Sequence, residues 1–572
     1  MAVSLQQLPW NILALIVHNL QNSNQLRYAR SDIICEKWSN QFAFFLYTCQ
    51  SWRTLILENF CYNLQISIDC SPSSIRMEYS QWPSNVQTPI CNNQYKHMVK
   101  IIMLELDFSS ILNGRFRQLF DADEIQSDQL VFPMAHTLDI VFGHYELTHD
   151  DKNSTATDEL NIFMRIIKQL APRLKAVNIK HCMSYTIGNG VFYEAFKTFI
   201  DQLSNYPSLA LSVDDGQKIK NITVEKNNIV KPLFSFAPRL TSMDFVWNIY
   251  YPQIAQLLHR SASSLQSLTL MLNRLDGLSY LVQDEYENPI VYPNLNELHL
   301  SCWYYLRPAA KIYTRSIPFP KLKQLYLHMD YPFSDDTIFR GNCNTLECLY
   351  MNLNTNTINM ADKYQIFRKG QYNNLKTVCL KNINSCQLNP GTSSQKFSDF
   401  AISLPSSITT LIIEDVTMKN EFVCNLFSQP SLVNLQLLSI PDAFLTITDI
   451  IGMLRLLPCL NELRCVYKGL GDDGLEKMTG ENLTNHFASQ YPINRHFRVL
   501  QLGHWGNTDL EITAQCSLLL AIACPSFTFM SLSGHARTKV NSTYKRLINT
   551  KPYSKYADRL ILLLDKSTES IF

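Results

Sequence analysis

Apolar positions along the chain recur in one short phrase. Pro293-Asn-Leu295-Asn-Glu-Leu298-His-Leu300 and Pro320-Lys-Leu322-Lys-Gln-Leu325-Tyr-Leu327 both read Leu-x-x-Leu-x-Leu. Two leucines two apart share a face of an extended segment, and the third turns in from the approach to it. A strand that short has one apolar face and nothing of its own to bury it on, so the phrase is stable only when copies stack on one another. The copies are present. Their first anchors fall at Leu174, Ile219, Leu240, Leu265, Leu295, Leu322, Leu346, Leu375, Ile408, Leu432, Leu460, Phe497 and Phe527. Most spacings match a repeat of about 20 to 29 residues, one strand and its return path.

Between the phrases the period changes from two to about 3.6. Residues 160–171 carry Ile162, Phe163, Ile166, Ile167 and Leu170 at helical spacing, and Pro172 precedes the strand at Leu174. The order helix, proline, strand recurs for the predicted helices 191–203, 253–259, 443–457 and 511–524. Proline stops each helix and holds the chain extended as it enters the next strand. The reading is an α/β fold: a curved solenoid of leucine-rich repeats with parallel strands on the concave side and helices on the convex side. Upstream, Leu64-Gln-Ile66-Ser-Ile68 alternates as a strand, 101–106 is a second, and Ala135-His-Thr-Leu138-Asp-Ile140 is an early copy of the phrase. Segments 71–96, 149–159, 385–396 and 469–491 are polar and read as loops.

The first sixty residues are different in kind. Leu8-Pro9 opens a predicted helix with apolar residues at Ile12, Leu13, Ile16 and Leu20, and 42–57 carries Phe42, Phe45, Leu46, Cys49, Trp52 and Leu55 at steps of three and four. Leu8-Pro9, the helix ending at Leu20, and Cys49-Gln-Ser-Trp52-Arg53 with Leu55 resemble an F-box, the helical module that docks on a Skp-type adaptor of cullin ubiquitin ligases. The 21–41 link is longer than that family's usual one, so the middle helix falls at 26–35 or, as preferred here, at 42–47. Two domains follow: an F-box-like helical domain over 1–62 and an irregular leucine-rich-repeat solenoid over 63–572. The whole resembles F-box proteins with leucine-rich repeats. That resemblance implies adaptor contacts from Leu8, Pro9, Ile12, Ile16, Leu20, Leu46, Cys49 and Trp52, and a target protein held by the repeats.

Composition narrows the rest. Lys plus Arg number 50 and Asp plus Glu 49, which gives no broad field for nucleic acid or an anionic membrane. The 16 cysteines are scattered, without a Cys-x-x-Cys, and read as reduced thiols. No basic-then-apolar leader and no apolar run of membrane-spanning length occurs, so a cytoplasmic or nuclear location is expected.

Catalytic motifs are lacking. Gly469-Leu-Gly471-Asp-Asp-Gly474 has the spacing of a dinucleotide loop, but Asp472 and Asp473 would set two negative charges beside a pyrophosphate. No cofactor, no metal and no enzymatic activity are expected. Residues between the inward leucines face the open side of the strands. Their central column includes Asn178, Thr223, Asp244, His299, Tyr326, Tyr350, Cys379, Gln436 and Arg464. Its middle, Glu297, His299, Gln324, Tyr326, His328, Tyr350 and Asn352, mixes large amphipathic rings with polar groups and is the expected target-binding patch. The expected role is the substrate-recognition subunit of a cullin-based ubiquitin ligase; a non-catalytic repeat scaffold without that association is the alternative.

Overall fold

The computed structural model describes residues 65–71, 74–80, 101–106, 111, 114, 117, 131–142, 156–180, 190–206, 210–214, 231–245, 252–272, 277–284, 286–302, 317–328, 344–352, 372–381, 404–414, 432–469, 478, 480–502, 510–527, 529–531 and 535–556. The chain divides into two compact units, residues 1–269 with Phe572 and residues 270–571.

In the first unit, β1 (Gln65–Ser71) and β2 (Ser74–Ser80) form an antiparallel hairpin. Segment 71–96 is therefore not loop throughout. Ile75, Met77 and Tyr79 alternate with polar residues, and pairing with β1 turns that alternation into a strand. From β1 onward the pairing is parallel: β3 (Ile101–Leu106), β4 (Thr137–Phe142), β5 (Ala176–Lys180), β6 (Ala210–Asp214) and β7 (Leu240–Phe245) follow in chain order. Leu138, Val177 and Leu211 align across β4, β5 and β6 and are buried. The copy expected at Ile219, with Thr223, lies outside the described residues. A strand at Ala210–Asp214 pairs with β5, with Leu211 in the inward place and Ser212 beside Asn178. Helix α1 (Ala156–Leu170) begins within the segment expected to be loop and buries Leu160, Phe163, Ile167 and Leu170. It packs on α2 (Gly190–Ser204), and Phe163 meets Phe199 at 6.1 Å. A short 3-10 helix (Phe234–Arg239) and α3 (Pro252–Ser261) complete the return paths.

Strand β8 (Ser267–Leu272) carries the division between the units, and α4 (Gly277–Val282) follows it. The second unit then runs β9 (Glu297–Cys302), β10 (Gln324–His328), β11 (Cys348–Asn352), β12 (Thr377–Lys381), β13 (Thr410–Ile413), β14 (Leu437–Thr446), β15 (Glu462–Gly469), β16 (Val499–Leu502) and β17 (Phe529–Ser531). Each pairs in parallel with the next. Leu298, Leu325, Leu349, Val378 and Leu411 stand in one register and are buried, as are the first anchors Leu295, Leu322, Leu346, Leu375 and Ile408. This is the leucine-rich-repeat arrangement: a dry row of aliphatic wedges, each fully buried leucine contributing on the order of 1.5 to 3 kcal/mol.

Three expectations shift here. The copy at Leu432 is out of phase by one step: Leu435 is the first anchor, Leu438 and Ile440 are the buried strand residues, and Ser439 rather than Gln436 pairs with Ile412. Three aliphatic residues spaced by three made both phases readable, and the register with β13 chooses. The helix expected over 443–457 starts later, as α5 (Ile447–Leu456), because β14 runs on to Thr446, whose side chain caps the helix. Segment 469–491 contains α6 (Gly480–Ser489), whose polar sequence hides Leu483, Thr484 and Phe487 at helical spacing. Helix α7 (Leu510–Ala523) packs on β15 and lies against both α6 and α8 (His535–Ile548), so it is apolar nearly all round. The four-residue α9 (Lys551–Ser554) packs on α6.

Candidate functional site

The middle of the expected patch comes together on the open face of β9, β10 and β11. Register sets it: His299 pairs with Tyr326, Tyr326 with Tyr350, and Glu297 with Gln324. Because the flanking leucines point inward, period two turns these residues outward as a group. The His299 ring lies flat on Tyr326, centroids 3.9 Å apart and planes 8° from parallel. Tyr350 continues the row 6.0 Å from Tyr326. His328 sits 4.7 Å from Tyr350 and 6.5 Å from His299, so four rings close a quadrilateral.

Polar groups border one edge. His299 Nε2 donates to Glu297 Oε1 at 2.8 Å, and the Tyr326 hydroxyl donates to Gln324 Oε1 at 3.1 Å. These contacts fix the ring planes without removing them from solvent: the side chains of His299 and Glu297 keep 25% and 37% of their exposure. Burial, with Cys348 and Glu297 adding to it, pushes the Tyr326 phenol above its ordinary range. Asn352 ends β11 in register with Lys381, which meets Glu414 at 3.1 Å. On the other side Lys323 meets Glu347 at 3.2 Å.

Beyond Tyr350 the face changes character. Cys379 and Ile412 follow in the same register, then Ser439, then Arg464 and Gln501. Burial pushes the Cys348 thiol up to about 11 and the Cys379 thiol up to about 12, so both are protonated near neutrality and poor nucleophiles. Arg464 donates to Glu462 Oε1 through Nε and Nη2, each at 2.8 Å, and Gln501 Nε2 reaches the same oxygen at 2.9 Å. In the first unit Asn178 Nδ2 donates to Asp139 Oδ1 at 2.7 Å on the same kind of face.

Of the expected target-binding residues, Glu297, His299, Gln324, Tyr326, His328 and Tyr350 form this patch. Asn352 is at its edge by register. The adaptor-binding residues Leu8, Pro9, Ile12, Ile16, Leu20, Leu46, Cys49 and Trp52 lie outside the described residues, as do 470–477 of the glycine-rich loop. The Glu462–Arg464–Gln501 cluster was not assembled from the sequence, although its members share the outward places of β15 and β16. Among the described residues there is no group of three His, Cys, Asp or Glu able to hold a metal ion, and no helix long and apolar enough to cross a membrane.

No model of a known protein family matches the chain, and no curated protein does. Among solved structures, the chain is similar to the crystal structure of the Rad7 and Elc1 complex in yeast, at 16% identity and a TM-score of 0.31, covering 70% of this chain and 84% of that one. It is also similar to the leucine-rich repeat-containing protein LegL7 from Legionella pneumophila, at 12% identity and a TM-score of 0.23, covering 79% of this chain and 99% of that one.

Proposed function

We propose that this chain is a non-catalytic recognition subunit: its repeats hold a target protein, and its N-terminal segment joins them to a Skp-type adaptor and, through it, a cullin ubiquitin ligase. The four-ring patch on β9 to β11 carries the first half. Aromatic side chains with polar heads, held in fixed planes and left half-exposed, are what the centres of protein interfaces are made of. The second half is supported by Leu8-Pro9, the apolar helix to Leu20 and Cys49-Gln-Ser-Trp52-Arg53. The chain would act by raising the target's effective concentration near a ubiquitin-charged enzyme, with no bond made or broken on its own residues.

Co-purification of the full chain beside a Leu8→Ala/Pro9→Ala variant tests the adaptor half. The adaptor and cullin should accompany the parent and be lost from the variant, while the thermal midpoint stays put. A parent that brings down neither leaves a repeat scaffold as the reading.

A further inference from the structure

The ring patch carries a carboxylate and an amide oxygen along one edge, and that edge says what it recognises. We infer that it takes an arginine side chain, presented by an extended segment of the bound protein, with the guanidinium against the rings and its N–H groups on the Glu297 carboxylate. This rests on the proposal that the patch is a target-binding site.

Three observations converge. Glu297 and Gln324 pair directly in register, which sets a carboxylate and an amide oxygen side by side along the border of the rings. The rings are prevented from rotating by contacts at their polar ends, His299 to Glu297 and Tyr326 to Gln324. Among the described residues, the lysines bordering the patch each face a carboxylate, Lys323 on Glu347 and Lys381 on Glu414, so they add no excess positive charge to attract an anion. A guanidinium meets both demands, because it is planar enough to lie along the ring edges or on an outer ring face, the facing faces of His299 and Tyr326 being taken by each other, and it donates in its own plane to a carboxylate. An ammonium does the second as a point charge only. A phosphate or carboxylate would be repelled by Glu297.

The test is a random-peptide display library panned on the full chain, with peptides that also bind a Tyr326→Ala/Tyr350→Ala variant removed. Enriched peptides should share an arginine, lose about tenfold in affinity for Glu297→Gln, and lose as much when the arginine is replaced by citrulline. Ring-dependent peptides that lack arginine, or whose citrulline forms bind equally well, overturn the inference and leave the target-binding patch standing. If no peptide distinguishes the parent from the ring variant, the patch itself falls. Because Tyr326 is partly buried, His328→Ala repeats the comparison with removal of an exposed ring only, and unchanged thermal midpoints certify each variant.

Discussion

Asn494 occupies a place that backbone fills elsewhere. In most coils the first anchor's N–H closes a turn onto the carbonyl three residues back: Leu295 onto Tyr292, Leu322 onto Phe319, Leu435 onto Leu432, Leu460 onto Leu457. At Phe497 the acceptor is instead the Asn494 side chain, whose Oδ1 takes Phe497 N at 2.9 Å and His496 N at 2.7 Å. Its Nδ2 donates into the preceding coil, to Leu457 O at 2.9 Å. Asn494→Ala takes the acceptor from the buried Phe497 N–H and the partly buried His496 N–H, so it should cost about 1 to 3 kcal/mol, read as a lower urea midpoint. The buried thiols give a second residue-scale outcome. In the unfolded chain Cys348 and Cys379 titrate near the ordinary thiol value; in the folded chain burial raises them to about 11 and about 12. The folded state therefore holds protons that the unfolded state has released. Their contribution is intact below about pH 9 and is lost as pH rises from there through 11 and 12. Cys379→Ser should flatten the alkaline limb of a stability-against-pH curve, and iodoacetamide at pH 8 should label both thiols in the parent more slowly than a free thiol. The inward leucines were legible in the sequence because their spacing is geometry. Asn494 was not, because one asparagine looks like any other until its partners surround it.

At the scale of elements, many of the coils are joined by a device at the position just before the first anchor. Ser264 Oγ donates to Leu240 O at 2.7 Å, Ser407 Oγ to Leu375 O at 2.8 Å, Asn434 Nδ2 to Ser406 O at 2.9 Å, and Ser526 Oγ to Arg495 O at 2.7 Å. Arg239 reaches the Tyr206 and Ser204 carbonyls from the same place, and Asn374 the Asn344 carbonyl. Each ties one coil to the one before it. At these seams the residue type varies while the function, a donor to the previous coil, is kept; a pattern sought by residue identity passes over it, and one sought by donor capacity in phase with the leucines would find it. Ser407→Ala removes two such bonds at one seam and should cost about 1 kcal/mol or slightly more. Helix α5 has a comparable local device. Thr446 N donates to Asp449 Oδ2 at 2.8 Å while Asp449 N donates to Thr446 Oγ1 at 3.2 Å. Thr446→Ala should lose about 1 kcal/mol, measured by the same urea titration. The helix start itself was misplaced in the sequence because Ala443 and Ile447, four apart, satisfy both periods; the cap decides between them, and it is visible only with its partner in place.

From β3 to β7 and from β9 to β17 the pairing is between neighbours in chain order, so stability propagates from coil to coil rather than through one shared centre. Leu325 is the sharpest place to observe this. It is buried between Leu298 of β9 and Leu349 of β11, in a coil whose outward residues are the rings of the candidate site. Leu325→Ala should cost about 2 to 5 kcal/mol, the usual penalty for an unfilled core leucine. In a nearest-neighbour stack that loss is local: amide hydrogen exchange should accelerate in β9, β10 and β11 and remain near its parent rate in β15 and β16 of the same unit. A uniform acceleration across the unit would mean that it opens as one cooperative block, and the coil-by-coil account would fail. The same substitution links fold to function. His299, Tyr326 and Tyr350 keep their planes because the strands beneath them keep register, so a variant that loosens β10 should also lose ring-dependent peptide binding, although no residue of the patch has been changed.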